Sequence, residues 1–565
     1  MAFPKPLKIE PARLVVEDGK VIDAGHGDWY FQYDGLDETR YVYLEGSGLL
    51  DRLAAGDDLV IGEIGFGTGL TYRLVREAMA ACGYDGRMSY IGVEARPLDA
   101  AQAATANALR PPSMGWTPPT ERPRAGFVRA NDDLLLLHGD AAEALSRLNA
   151  AVDVWFLDGF SPAKNPEVWT PALYAQLARL SRPGAALATF TAAGDVRRGL
   201  EAAGFVTAKR TGWAKKREHL TARFTGTWTP RPRPRDAAPL TIAGAGIAGL
   251  MLALEARRLG WPATLHGTGQ APQGSAVPFA LVNFRPSGDA GPLGHLRRAG
   301  FFHLHDYRAH ARAGVDAQVG DEKLRERWRQ ETDIDHQWIA ADRVRVAGAL
   351  SVDTAAFRRW VLAQVDQRPD PLRTDPLSHD PLGPTRSASR EGPLIIAAGL
   401  ASAAWLPGLS VRRNRGQQDR LRLDQPLAHP INFGRLLLPV HGDSKDAWLG
   451  ASFDRDPPQS WQQPLQADSD ENLTRLQAAL PDIGAGASPT GESWVGLRAT
   501  TLDHLPLAGW RQENLGVLTG LGSKGYLYAP ILASCLLAEA LGLPLPLEQW
   551  VWNALKPLRH QPREP

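Results

Sequence analysis

Four acidic residues in the first 160 positions each stand at the end of a short apolar run: Glu63, Glu94, Asp140 and Asp158. The runs have the length and composition of buried strands in a parallel sheet. The carboxyl ends of parallel strands meet at one edge of the sheet, where ligands of open α/β sheets bind. We therefore expect these carboxylates to gather around one ligand.

The turn at the end of the first of these strands is rich in glycine. It reads Gly62-Glu63-Ile64-Gly65-Phe66-Gly67-Thr68-Gly69 and opens a helical segment. Gly65, Gly67 and Gly69 let the backbone approach a ligand that a side chain would exclude. The turn lacks the Gly-Lys-Ser/Thr ending of a phosphate-cradling loop, so it favours a nucleoside over a nucleoside triphosphate.

The positions of the acids suggest separate roles in such a pocket. Glu94 closes the next strand, where a carboxylate can accept hydrogen bonds from both ribose hydroxyls. Asp140 closes a third strand and is placed to accept an adenine amino hydrogen. Each acid by itself is more often a loop cap. Together with Glu63 they predict a nucleoside-binding edge.

Asp158 follows the fourth strand, in Leu157-Asp158-Gly159-Phe160-Ser161-Pro162-Ala163-Lys164-Asn165-Pro166. A primary alkylamine has a pKa of about 10 and must lose a proton before its lone pair can attack. Asp158 can accept an N–H hydrogen bond, orient that lone pair and help the proton depart. The alternative is a turn acid that precedes a glycine.

A second glycine-rich turn lies in the later half of the chain. Gly244, Gly246 and Gly249 follow the strand-like run Leu240-Thr241-Ile242-Ala243 and open a helix. This is the dinucleotide fingerprint in its required context, with a pyrophosphate expected at the helix N-terminus. The acid that usually closes the next strand is missing from Ala263-Thr264-Leu265-His266-Gly267-Thr268-Gly269.

Two further segments of this half contribute candidate site residues. Gly522, Lys524 and Gly525 precede a long apolar helix, and amides there can support negative charge on a bound ring. Arg498 can clamp a substrate carboxylate with its guanidinium fork. A surface salt bridge is an equally good interpretation of Arg498.

These residues need two α/β domains to position them. Short apolar runs alternate with helical stretches before residue 229, which is typical of a doubly wound sheet. The segment 230–238 alternates Pro and Arg and is predicted to be a linker. We therefore predict a first domain over 1–229 and a second over 239–565. The Pro/Ser/Asp-rich segment 370–393 is predicted to be a loop of the second domain.

The bulk composition excludes several classes of protein. The chain has 565 residues and a nearly even charge balance, with 63 Lys plus Arg against 62 Asp plus Glu. Its two cysteines indicate a protein of a reducing cytosol without a disulfide framework. The N-terminal residues lack the apolar core of a signal peptide. No apolar stretch is long enough to span a membrane, and we expect no metal site. One short region is basic and suits either a nucleic-acid backbone or a solvated surface: Lys209, Arg210, Lys215, Lys216, Arg217, Arg223, Arg231, Arg233 and Arg235.

The first half resembles the methyltransferase half of the MnmC family of bifunctional tRNA-modifying enzymes. The glycine turn, the Asp158 motif and Gly35-Leu36-Asp37-Glu38-Thr39-Arg40-Tyr41-Val42 carry the resemblance, which spans most of residues 20–225. It implies S-adenosylmethionine as cofactor, tRNA as partner and methylation of an aminomethyl group on the wobble uridine.

The second half resembles the oxidoreductase half of the same family and its glycine-oxidase-like relatives. The matching segments are Leu394-Ile395-Ile396-Ala397-Ala398-Gly399, Asn414-Arg415-Gly416-Gln417, Asp503-His504-Leu505-Pro506-Leu507 and Leu521 to Gly525. The resemblance implies FAD, a mixed-sheet substrate subdomain, and oxidative removal of a carboxymethyl group from the amine. The family's Ser-Gly-Asn-Pro-type stretch reads Ser275-Ala276-Val277-Pro278-Phe279-Ala280 here.

Two alternatives remain open at this point. Both chemistries could act on a free small amine instead of tRNA, which the basic region disfavours. Alternatively, the second half is a degenerate tRNA-docking domain without catalysis, for which the altered Ser275 stretch and the missing acid speak.

Overall fold

The computed structural model divides the chain into two compact units. The first comprises Met1–Arg235 with Ala538–Gln549, and the second comprises Asp236–Leu537 with Trp550–Pro565. The structure describes residues 3–31, 35–214, 217–230, 237–267, 274–303, 305–368, 392–440, 444–457 and 460–559. Most of the predicted linker and of the predicted loop 370–393 lies outside these ranges.

A doubly wound sheet forms the centre of the first unit. Its described strands run, in spatial order, Phe205–Thr211, Glu218–Phe224, Ser181–Thr189, Val152–Leu157, Leu59–Ile64, Met88–Glu94, Leu134–His138 and Gly126–Arg129. The middle strands from Ser181–Thr189 to Leu134–His138 pair in parallel. Leu59–Ile64 and Val152–Leu157 are buried along their whole length, because helices cover both faces of the sheet.

The helices of the first unit connect these strands, and a small sheet precedes them. The helical segments are Gly35–Thr39, a π-helical turn at Arg40–Glu45, Leu49–Ala54, Leu70–Cys82, Ala100–Asn107, Pro112–Met114, Ala141–Ser146, Pro171–Leu180 and Gly194–Ala202. The small antiparallel sheet consists of Leu14–Glu17, Lys20–Asp23 and Asp28–Phe31. The doubly wound architecture predicted for this half is confirmed.

The second unit contains a nucleotide-binding type of sheet and a larger mixed sheet. The first runs Asp366–Arg368, Ala263–His266, Leu240–Ala243, Leu394–Ile396, Leu515–Thr519 and Leu507–Gln512, and its strands pair in parallel except for the last. The mixed sheet runs Phe279–Val282, Arg343–Asp353, Ala311–Gln318, Ile431–Asn432, Leu436–Pro439, Asp446–Gly450, Arg412–Arg422 and Ser488–Thr500, and His336–Ala340 pairs with Arg343–Asp353. The predicted mixed-sheet subdomain is confirmed.

The helical segments after the linker alternate along the chain with the strands of these two sheets. They are Ile247–Arg258, Gly274–Ala276, Pro292–Phe302, His305–His310, Glu322–Gln330, Thr354–Leu362, Gly399–Ala401, Ser402–Trp405, Gln466–Ala479, Pro481–Gly484, Gly522–Lys524, Gly525–Ala540 and Gln549–Ala554. Within the described ranges, no helix is both long and apolar enough to cross a membrane.

A buried arginine joins the mixed sheet to the helix Gln466–Ala479. Arg415 is completely buried and forms an ion pair with Asp468. Its Nε donates to the carbonyl of Trp461 at 2.8 Å, and its Nη2 donates to the carbonyl of Gln463 at 2.8 Å and to Oε1 of Gln417 at 2.9 Å. The guanidinium therefore replaces its lost hydration with fixed partners.

Replacing Arg415 with methionine should destabilise the second unit by about 3–5 kcal/mol, because Asp468 is then left without its buried cation. The free energy of unfolding from urea titrations measures the effect. Arg422→Met is the matched control: Arg422 pairs with Asp446 at 2.9 Å, but its side chain is 60% exposed. We expect the control to cost less than about 1 kcal/mol. Equal losses for the two variants would contradict the role of Arg415.

Candidate active sites

A cavity of about 540 Å³ opens at the carboxyl edge of the first unit's central sheet. Glu94, Asp140 and Asp158 line it, together with Gly65 and Gly67. These residues belong to the turns that end three parallel strands and to the glycine-rich turn. The structure thus brings together most of the residues that the sequence places in a nucleoside pocket.

Glu94 is held in place by two backbone amides. Its Oε2 accepts the N–H of Gly67 at 2.8 Å, and its Oε1 accepts the N–H of Arg96 at 2.9 Å. Burial raises the pKa of Glu94, and the two amides oppose that shift. Each carboxylate oxygen accepts more than one hydrogen bond, so Glu94 retains capacity for two ligand hydroxyls. This arrangement fits a ribose diol.

Asp140 and Gly69 also have structural tasks at the cavity. Asp140 Oδ1 accepts the N–H of Glu143 at 2.9 Å and caps the helix Ala141–Ser146, while the exposed side chain lines the cavity. Gly69 lies behind the lining with a φ of 72° and begins the helix Leu70–Cys82. A Cβ on Gly69 would lie 2.9 Å from Trp116.

Glu63, a predicted direct ligand, is not among the described residues that line the cavity. The strand extends to Ile64, so Glu63 is part of the strand, and its side chain is 1% exposed. Tyr90 donates its hydroxyl hydrogen to Glu63 Oε2 at 2.8 Å. Burial, with the nearby charge of Asp158, raises the pKa of Glu63 well above its ordinary value. A direct contact between Glu63 and a ligand therefore stays a prediction, and the described hydrogen bond of its side chain is with Tyr90.

Asp158 is oriented by a tyrosine that the sequence analysis missed. The buried Tyr43 donates its hydroxyl hydrogen to Asp158 Oδ1 at 2.5 Å. Burial, and then the charge of Asp158, raises the pKa of Tyr43 well above its ordinary value, so the phenol stays a donor. Tyr43 stands one residue after the motif Gly35 to Val42, and only its contact with Asp158 reveals its role.

The loop that follows Asp158 is tied to the small N-terminal sheet. The buried Asp28 accepts the N–H of Ser161 at 2.9 Å and a hydrogen from Lys164 Nζ at 3.3 Å. Burial would raise the pKa of Asp28, but these hydrogen bonds and the charge of Lys164 hold it below its ordinary value. Tyr30, from the same small sheet, lines the cavity, and its hydroxyl has no hydrogen-bond partner among the described residues.

A close backbone contact fixes the distance between Asp158 and the glycine-rich turn. Gly65 has a φ of 86°, and a Cβ placed on it would lie 2.6 Å from the carbonyl oxygen of Asp158 and 2.7 Å from Gly159 Cα. Any side chain at position 65 would therefore push the Asp158 loop away from the cavity.

A second cavity, of about 790 Å³, lies in the second unit. Its lining includes Gly244, Gly246, Gly522, Lys524, Gly525 and Arg498. Gly249 does not line it: a Cβ there would lie 1.8 Å from the carbonyl oxygen of Gly244, so this glycine serves helix–strand packing. A Cβ on Gly244 itself, where φ is 117°, would lie 2.4 Å from the carbonyl oxygen of Ala397.

Arg498 projects into this cavity without an acidic partner among the described residues. Its Nη1 donates to Asn414 Oδ1 and to the carbonyl of Ser452, both at the long distance of 3.4 Å. Gly416 makes room for it, since a Cβ there would lie 2.1 Å from the guanidinium. Burial, and then the charge of Arg435, lowers the pKa of Arg498 to about 10. The site suits an incoming carboxylate, and the salt-bridge interpretation does not apply to the described residues.

Lys524 is a second cation in the lining. Burial, and then the charges of Arg297 and Arg285, lowers its pKa to about 8. Lys524 precedes the helix Gly525–Ala540, whose first amides also carry partial positive charge. This end of the cavity therefore favours an anionic group.

Two departures lie close to the fingerprint: the altered Ser275 stretch, which departs from the family pattern, and the acid missing from the dinucleotide pattern. Ser275 lines the cavity, and its Oγ accepts the N–H of Ile247 at 3.0 Å, at the start of the helix. His266 and Gly267 also line it, where the missing acid would stand, and residues 268–273 after them are outside the described ranges.

The basic region is exposed wherever the structure describes it, at Lys209, Arg210, Arg217 and Arg223. Lys209 forms an ion pair with Glu218 at 2.7 Å. The other members of the region, at positions 215, 216, 231, 233 and 235, lie outside the described residues. Over the part of the chain that is described, no group of three or more His, Cys, Asp or Glu residues could hold a metal ion.

Comparisons with known proteins give a match for each half. Residues 116–225 match a family described as S-adenosyl-L-methionine-dependent methyltransferase. Residues 240–540 match a family described as FAD dependent oxidoreductase.

Relatives of full length carry both halves. The chain is 35% identical to the tRNA 5-methylaminomethyl-2-thiouridine biosynthesis bifunctional protein MnmC of Caulobacter vibrioides, over 96% of each chain. It is 33% identical to the protein of that name from Pseudomonas aeruginosa, again over 96% of each. Among solved structures, glycine oxidase from Geobacillus kaustophilus matches with a TM-score of 0.44 at 19% identity, covering 58% of this chain and all of that one.

The variant Gly65→Ala should weaken S-adenosylmethionine binding by about tenfold or more. The alanine strains the backbone at a positive φ, and its Cβ displaces the Asp158 loop, so the cavity changes shape. Isothermal titration calorimetry measures the change. Gly126→Ala is the matched control, since Gly126 has a similar φ of 97° but nothing within 4 Å of a Cβ. Its affinity should equal that of the wild type. Equal affinities in both variants would show that the close contact does not shape the site.

Proposed function

The chain belongs to the MnmC family of bifunctional proteins, and on that premise we propose that it matures a wobble uridine of tRNA in two consecutive steps. The second half removes the carboxymethyl group from a carboxymethylaminomethyl-uridine. The first half then methylates the aminomethyl group that this leaves. A tRNA substrate supports a cytoplasmic location. One observation carries the proposal: a carboxylate at one nucleoside cavity and an arginine without an acidic partner at the other, within one chain.

The residues of both cavities fit the cofactors of the matching families. In the first unit, Glu94 has hydrogen-bonding capacity for a ribose, and the Gly65 turn is a cradle that a Cβ would fill. In the second, the turn from Gly244 to Gly246 can hold a pyrophosphate at the start of the helix Ile247–Arg258, with one amide bonded to Ser275.

The oxidoreductase step begins with a secondary amine that carries a CH₂–COO⁻ group. FAD, when bound, accepts the hydride that leaves this methylene carbon. Arg498 holds the carboxylate and thereby fixes the methylene in one position. Water then adds to the oxidised carbon, the C–N bond breaks, and glyoxylate and a primary amine result. Lys524 and the amides of Gly522 and Gly525 supply positive charge at the other end of the cavity.

The methyltransferase step uses that primary amine as nucleophile. S-adenosylmethionine, when bound, supplies the electrophilic methyl group. Tyr43 occupies Oδ1 of Asp158, so the carboxylate has a defined orientation towards the amine. Asp158 accepts an N–H hydrogen bond and aims the lone pair. As the new N–C bond forms, the sulfur–methyl bond breaks and S-adenosylhomocysteine leaves, and Asp158 receives the departing proton. The likeness of the chain to full-length bifunctional relatives supports pairing these steps in one protein.

The variant Asp158→Asn should slow methyl transfer by about 100- to 10,000-fold, because the amide cannot accept the proton. The measurement is the single-turnover rate with an aminomethyl-uridine stem-loop. Tyr43→Phe should lose about tenfold, since it removes one hydrogen bond to a charged group. A rate for Asp158→Asn within a few-fold of the wild type would remove Asp158 from the reaction.

The purified protein should show a bound-flavin absorption spectrum, with added FAD if it emerges colourless. A stem-loop bearing the carboxymethylaminomethyl group should bleach it without oxygen. Arg498→Leu should raise the KM for that substrate on the order of 100-fold, because a charged hydrogen-bonded pair is lost. Arg413→Leu, an exposed arginine on the strand Arg412–Arg422, is the control and should match the wild type. No flavin binding at saturating FAD would favour the degenerate docking domain instead.

A further inference from the structure

Three aromatic side chains line the oxidoreductase cavity together with its arginine. Phe453, Trp461 and Trp494 all line the cavity with Arg498. Phe453 is 52% exposed although it is apolar, and its ring centroid lies 4.9 Å from the Arg498 guanidinium carbon. The carbonyl of Trp461 is held by the buried Arg415. An exposed aromatic ring beside a predicted substrate-binding cation, with two half-buried indoles in the same lining, suits a planar ligand.

The strand register places one of these rings on the same face as the arginine. Trp494 and Arg498 are four residues apart on the strand Ser488–Thr500, so both side chains point to one face of the sheet. On the neighbouring strand, Gln418 is opposite Trp494 and Asn414 is opposite Arg498. The sheet therefore holds the pair Trp494 and Gln418 at a fixed distance along the strands from the pair Arg498 and Asn414.

Two polar atoms of this pair have no partner within the described ranges. Gln418 is 3% exposed, and its Oε1 accepts no hydrogen bond. The indole Nε1 of Trp494 likewise donates none. An acceptor and a donor that are both buried and unsatisfied are costly unless a ligand completes them. The edge of a uracil-type pyrimidine has an N–H between two carbonyls. Its N–H can donate to Gln418 Oε1, and one of its carbonyls can accept from Trp494 Nε1.

The charge of the lining also selects the ligand. Its described cations include Arg285, Arg435, Arg498 and Lys524, and no Asp or Glu is among its described residues. A polyanionic nucleic acid with an unpaired base meets both requirements. Unstacked bases are recognised by aromatic platforms, and enzymes that act on a base take it out of its stack.

We propose that Phe453, Trp461 and Trp494 form a stacking clamp for the unpaired pyrimidine whose side-chain amine is oxidised, with Trp494 Nε1 and Gln418 Oε1 at the polar edge of the base. This inference rests on the proposed function and adds to it the residues that recognise the base. Arg498 binds the carboxylate, and the clamp fixes the other end of the same substrate.

The test compares Phe453→Leu, which keeps an apolar side chain without a flat face, with Phe453→Tyr, which keeps the ring. Phe453→Leu should raise the KM for the carboxymethylaminomethyl-uridine stem-loop by about 5- to 100-fold, the usual effect of one lost stacking platform. Phe453→Tyr should stay within about threefold of the wild type, consistent with a role for the ring face. Leu502→Ala, at a side chain that is 55% exposed and outside the cavity lining, should leave the KM unchanged.

A second ligand separates stacking from an indirect effect through Arg498. Glycolate has a carboxylate but no base, and its Kd is measured from its perturbation of the flavin spectrum. The clamp predicts that Phe453→Leu raises the stem-loop KM at least about five times more than the glycolate Kd. Equal increases would overturn the clamp and make Phe453 a positioning residue for Arg498. A wild-type KM in Phe453→Leu would also overturn it.

Gln418→Leu distinguishes the two pyrimidine rings that could meet this edge, because the flavin ring carries the same donor and acceptor pattern. The proposal expects a higher stem-loop KM with an unchanged Kd for FAD. A loss of FAD affinity alone would assign the edge to the cofactor and overturn the placement of the base. A wild-type protein that binds FAD but does not turn over the stem-loop would instead refute the proposed function.

Discussion

Both sites depend on a close approach between two backbone segments at the end of a parallel sheet. At the first site, Gly65 leaves no room for a side chain against the carbonyl of Asp158. At the second, Gly244 is equally close to the carbonyl of Ala397. In each unit this contact brings the glycine-rich turn against the turn after a neighbouring strand. The cavity shape follows from that spacing, because the backbones are too close for other side chains to fill the gap.

The two cavities have opposite electrostatic character, and this difference matches the proposed chemistry. Glu94, Asp140 and Asp158 line the first. A cavity of this kind suits a sulfonium methyl donor and an amine. Arg498 and Lys524 line the second, where burial lowers the pKa of both side chains. That cavity suits a carboxylate and a pyrophosphate. The acidic cavity therefore matches the proposed methyl transfer, and the basic cavity matches the proposed oxidation.

Buried hydrogen bonds, more than the reactive groups themselves, determine where these charges are. Tyr43 orients Asp158, two amides hold Glu94, and Gly416 leaves the space in which Arg498 lies. Arg415 anchors the segment that carries Trp461. Apart from the Arg96 amide, which is two residues from Glu94, each of these supports comes from a part of the chain distant in sequence from the group that it holds. A site of this kind tolerates few changes around it, because fixed geometry is what makes its charges effective.

Local patterns in the sequence were sufficient for the architecture and for most of the site. Apolar runs ending in glycine or an acid predict parallel strands whose carboxyl ends share one edge, so Glu94, Asp158 and the fingerprint glycines could be found without coordinates. The depth of a side chain was not predictable in this way. Glu63 is buried within its strand and accepts a hydrogen bond from Tyr90, Gly249 packs a helix, and Tyr43 acquires its role through a contact across 115 residues. Only the tertiary structure decides such roles, because burial and hydrogen-bond partners depend on which distant segments pack together.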